Sequence, residues 1–69
     1  MKPPVPPPWQ VQQRAWECAY TLRHDYWDVL PIEQRVYVEV VYQTYPDDLG
    51  WHEIARMLVL FGETADVRV

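Results

Sequence analysis

The sequence predicts an all-α fold: a small three-helix, helix-turn-helix-like domain, with an extended Pro-rich N-terminal arm and a truncated last helix. Three features carry that expectation. Leu30-Pro31-Ile32-Glu33 reads as a helix start, with proline at the beginning and an acid in the first turn. Tyr45-Pro46-Asp47-Asp48-Leu49-Gly50 is turn-forming sequence. Glu53-Ile54-Ala55 then sits in a second short helix, where the small Ala55 is expected to allow close packing.

The elements follow in chain order. Residues 1–8 hold five prolines, at positions 3, 4, 6, 7 and 8, which excludes a helix or a central strand. Such a segment favours extended polyproline II, read either as a plain leader or as a docking arm anchored by Val5 and Trp9. Residues 9–69 are expected to form one helical domain. Its first helix runs from Trp9 to about Leu30, kinked or frayed near His24. Trp16, Ala19, Tyr20, Arg23, Tyr26, Trp27 and Leu30 recur at three- and four-residue steps and form its expected core stripe.

The next element, from Pro31 to about Thr44, is ambiguous by propensity. Val36-Tyr37-Val38-Glu39-Val40-Val41-Tyr42 is β-branched and aromatic, so residues 34–44 also fit a strand. The Pro31 start and the lack of a pairing strand favour helix. In the last element Gly50 is the expected N-cap, and Glu53 stands at the third helical position. Ile54, Met57, Leu58 and Phe61 form its expected buried face. Gly62 is expected to end it, leaving at most two turns for residues 63–69.

Composition excludes several classes. Sixty-nine residues bury only a small core, supported here by four Trp and five Tyr. A single cysteine, Cys18, rules out an internal disulfide and is expected to be buried and structural. His24, His52 and Cys18 lack the spacing of a zinc set, so no metal or cofactor is expected. Glu17, Asp25 and Asp28 around His24 read as solvated surface, and only two glycines occur, so no phosphate loop is present. No catalysis is expected. No apolar run is long enough to span a membrane, and the Pro-rich start does not resemble a signal peptide. A net charge of −4 makes strong autonomous nucleic-acid binding unexpected.

The order of parts resembles region 4 of bacterial sigma factors. There a Leu-Pro-started helix with Gln-Arg leads through a turn to a helix carrying Glu-Ile-Ala. The matching residues are Leu30, Pro31, Gln34, Arg35, Val36, Leu49, Trp51, Glu53, Ile54, Ala55, Arg56 and Leu58, within residues 28–68. Where that family continues into a basic recognition helix, Glu63 and Asp66 are acidic. The resemblance therefore implies the scaffold and a polymerase-facing surface without promoter reading. The whole package, small and acidic with a Pro-rich arm, is similar to small lytic-phage proteins that bind host RNA polymerase. That similarity implies a non-catalytic regulator in the cytoplasm of the bacterial host, monomeric when free. It implies docking on the β and β′ subunits near the flap and RNA exit channel, inhibition of host initiation, and antitermination. Interfaces concentrate their energy in Trp, Tyr and Arg, so Arg35, Tyr42 and Trp51 join Val5 and Trp9 as the expected partner-binding residues. Two alternatives are inhibition of another host complex, such as a defence nuclease, and a helix-turn-helix DNA-binding repressor.

Overall fold

A computed structural model describes residues 5–68; the expected arm residues 1–4 lie outside them. The described chain has three α-helices and no strand: α1 (Trp9–Asp25), α2 (Ile32–Gln43) and α3 (Trp51–Arg68). The all-α expectation holds, and the ambiguous Val36–Tyr42 run is helical.

Each helix start follows local chemistry. The Pro8 carbonyl accepts from Val11 and Gln12 N–H, both at 3.1 Å, and opens α1. The Pro31 carbonyl accepts from Gln34 and Arg35 at 3.0 and 2.9 Å and opens α2. At the head of α3 the Gly50 N–H donates to Glu53 Oε2 at 3.0 Å, while the Gly50 carbonyl accepts from Ile54 at 3.0 Å. Glu53 thus reaches back from the third helical position to the N-cap, as its spacing predicts.

The first helix ends earlier than Leu30. It stops at Asp25, and Trp27–Val29 forms a separate 3-10 turn. Pro31 crowds the residue before it out of the helical region, and Leu30 is extended at φ −82°, ψ 133°. Pro46 does the same to Tyr45, at φ −66°, ψ 141°, and a second 3-10 turn over Pro46–Asp48 leads into α3.

The last helix is not truncated. It runs without interruption through Gly62 and is 18 residues long. No described glycine has a positive φ, so Gly62 makes no left-handed cap. Burial explains the continuation. Ile54, Met57, Leu60 and Thr64 are all buried, and that line crosses the glycine. Tertiary packing on both sides outweighs a helix penalty of roughly 1 kcal/mol relative to alanine. A Cβ at Gly62 would meet nothing within 4 Å. Gly62→Ala is therefore expected to stabilise the domain by about 0.5–1 kcal/mol and to raise its melting midpoint in circular dichroism.

The core lies along α1, which packs against both α2 and α3 and against the 3-10 turn between them. The expected aromatic stripe is corrected here. The fully buried residues of α1 are Ala15, Ala19 and Leu22, joined by Cys18 and Gln12. Of the stripe, only Ala19 and Leu30 are buried; Trp16, Tyr26 and Trp27 pack at its edge and Tyr20 is exposed. A helix that receives two neighbours needs small side chains on its inner line, and large rings fit only at the flanks. Ala55 is exposed, so close approach depends on Ala15 and Ala19 rather than on it. No described helix is long and apolar enough to cross a membrane.

Candidate functional site

Gln12 joins the first helix to the approach of the third. Its side-chain amide donates to the Leu49 carbonyl at 2.9 Å and to the Asp47 carbonyl at 3.2 Å, across more than thirty residues of chain. Buried polar groups are stabilising only when satisfied, and this amide holds the start of α1 against the connection that precedes Trp51. Trp9 lies one turn before Gln12 and is exposed. Trp51, the first residue of α3, is 46% exposed. Its indole N–H donates to the Val5 carbonyl. Two expected partner-binding residues, distant in sequence, therefore touch.

Tyr42 packs from α2 onto α1. Its backbone carbonyl accepts from the Trp16 indole N–H at 3.1 Å, and the two rings stack with centroids 5.8 Å apart and planes 20° apart. Tyr20 and His24 extend the group. Their rings lie 4.2 Å apart, and His24 Nε2 is 3.4 Å from the Tyr42 hydroxyl. His24 is thus held in an aromatic cluster. Gln13, Trp16, Tyr42, Tyr45 and Pro46 line an open hollow beside it. Tyr45 is exposed and belongs to this surface, although its place in a turn hid it in the sequence.

Arg35 stands apart from that end. Its guanidinium carbon lies 5.6 Å from the Trp27 ring centre, and Nη2 donates to the Asp28 carbonyl at 3.3 Å. Arg23 lies over the same ring at 4.5 Å and bonds Glu39 at 2.8 Å. The structure therefore joins Val5 to Trp51, and Tyr42 to Trp16 with Tyr45 beside them, leaves Trp9 exposed at the start of α1, and sets Arg35 against Trp27 and Asp28.

A groove of about 370 Å³ separates α2 from α3, lined by Glu33, Tyr37, Arg56, Val59 and Glu63 among others. Burial pushes the Tyr37 phenol above its ordinary pKa; nearby Arg56 opposes the shift and Glu53 adds to it. Its hydroxyl donates to the Glu53 carbonyl at 3.4 Å and its ring faces Arg56 at 4.8 Å. A neutral phenol used in this way is a structural strut.

Cys18 is buried and unpaired. Burial raises its thiol pKa, Arg14 lowers it and Glu17 raises it, so the net effect favours the neutral thiol at pH 7. Among the described residues, no three His, Cys, Asp or Glu side chains are grouped to hold a metal ion. The chemistry this surface offers is apolar and aromatic contact with a few hydrogen-bond donors. No protein-family model, curated protein or solved structure matches the chain.

Proposed function

We propose that this protein is a non-catalytic phage regulator that binds host bacterial RNA polymerase through its aromatic end. The contact lies near the β flap and RNA exit channel, involves the N-terminal part of β′, inhibits initiation and promotes antitermination. The observations that carry the reading are the contact of Trp51 with Val5 at the start of α3 and the Tyr42–Trp16 pair, with Tyr45 beside it, at the end of α2. Aromatic residues at a half-exposed, well-anchored position are the usual energetic centres of protein interfaces. The helices that present Tyr42 and Trp51 carry the Leu-Pro start and the Glu-Ile-Ala run of the sigma-like segment, and that likeness points to polymerase as the partner.

Charge supports a protein target over a nucleic acid. The end that carries the aromatics also carries Asp47 and Asp48, and phosphates would be repelled there. Val5-Pro6-Pro7-Pro8 supplies the arm of the docking surface. Pro8 is at φ −62°, ψ 150°, the polyproline II region, so the arm loses little conformational entropy on binding.

The function is tested at promoters whose initiation needs sigma contacts to the upstream element. Saturating protein added to core polymerase before sigma is expected to suppress initiation there. Undiminished initiation at those promoters would reject competition with sigma.

A further inference from the structure

The groove between α2 and α3 is separate from the docking surface above. Both helices pack on α1, and no residue of α1 lines the groove of about 370 Å³ that opens between them. It does not stop at the start of α2. A second hollow of about 250 Å³ continues it to Val29 and Val67, and Gln34, Leu60 and Glu63 line both. The two make one channel along α3. Its ridge is Ala55, Val59, Glu63 and Val67, all exposed and all at one-turn steps. At 1.5 Å per residue that ridge is about 18 Å long.

The lining is apolar with acids on both walls. Val29, Val59 and Val67 are 43%, 59% and 79% exposed beside the buried Leu60. Single exposed apolar residues are ordinary, but a series of them along one channel marks a contact face. Glu33 stands on the α2 wall and Glu63 on the α3 wall. Both are exposed, and neither is ion-paired among the described residues. Arg56 does not neutralise them: its guanidinium lies over the Tyr37 ring, 4.8 Å from the centroid.

We infer that this channel binds an amphipathic helix of a partner protein, apolar along one stripe and carrying lysine or arginine on both sides of it. Charge selects the occupant. Two unpaired carboxylates face each other across an apolar floor, so cations are matched on both flanks of the stripe, and a second copy of this chain, at net charge −4, is repelled. Shape selects a helix. A ridge at four-residue spacing interlocks with the ridges of another helix. The described chain has no strand, so it offers no sheet edge for an extended peptide to join. The contact is only about three turns long, so binding is weak, between roughly 10 µM and 1 mM.

Fluorescence anisotropy of a labelled synthetic helix tests the inference. The peptide is about four turns long, with leucine at three- and four-residue steps and lysine on both flanks. Held at low concentration, it is titrated with the full chain at low salt. It is expected to bind in the stated range, and a counterpart with glutamate in place of lysine is expected to bind about tenfold more weakly or not at all. Glu33→Lys and Glu63→Lys are each expected to weaken binding of the lysine peptide about fivefold or more. Glu17→Lys, an equal change of net charge at an exposed site on α1, is expected to change it less than about twofold. Circular dichroism establishes that the three variants are folded. No binding of the lysine peptide up to about 1 mM overturns the inference. So does a loss with Glu17→Lys equal to that of the groove variants, which would mean general charge attraction. A dimer in sedimentation equilibrium that excludes the peptide would give the channel to a second copy and overturn it as well.

Discussion

Leu22→Ala is expected to leave most of the chain unfolded at 25 °C. Leu22 is fully buried on the inner line of α1 and belongs to the core cluster that also holds residues of α2 and α3. Removing its side chain loses the transfer free energy and leaves a cavity, together about 2–5 kcal/mol. A domain of this size holds only about 3–5 kcal/mol in all. The helical circular-dichroism signal should fall, and what remains should lack a cooperative melt. Met57→Ala, at an equally buried position on α3, is expected to behave alike. A cooperative melt within a few degrees of the original for Leu22→Ala would mean that α1 is not the central element.

Trp51→Ala is expected to do the opposite. A half-exposed tryptophan at the first position of a helix contributes little to the core, and its one hydrogen bond, to the Val5 carbonyl, is worth about 0.5–1.5 kcal/mol. The variant should keep its helical signal with a modestly lower midpoint. Its affinity for polymerase should drop by about 2 kcal/mol or more, roughly thirtyfold, if Trp51 is an anchor. Deleting residues 1–7 is a companion to it: the Val5 contact is lost while the core stays whole, so folding should persist and binding should weaken. A Trp51→Ala chain that unfolds would make the residue structural and move the docking surface elsewhere.

The contrast between these two positions shows where sequence reading reaches its limit. Helix starts were legible because they are set by neighbours in the chain: Pro31 fixes one, and Gly50 with Glu53 fixes another. The helical state of Val36–Tyr42 was legible from the Pro31 start and the lack of a strand to pair with, against its own propensity. Gly62 misled because its local preference is to end a helix, whereas packing of Leu60 and Thr64 against the rest of the domain decides otherwise. The continuing spacing of Met57, Leu60, Phe61 and Thr64 was the signal that could have revealed it. The core line of α1 was hidden for a different reason. Periodicity finds a face, but which of two adjacent lines is buried depends on how two other helices approach, and here the small residues win.

The proposed docking surface was legible in part for the same physical reason. Val5, Trp9 and Trp51 stood out as large apolar residues next to proline or at a helix start. Gln12 ties α1 to the connection before Trp51, through two backbone carbonyls that no sequence pattern points to. Tyr45 stands in turn-forming sequence, which gives no sign of its exposed ring.

Direct binding to purified core RNA polymerase tests the central claim. Immobilised protein is offered core enzyme at micromolar concentration, with and without excess sigma, beside an immobilised Trp51→Ala control. The account predicts that core enzyme is retained, that excess sigma reduces the retention, and that the control retains little. Core enzyme that is not retained, or that is held equally by the folded Trp51→Ala control, would contradict it.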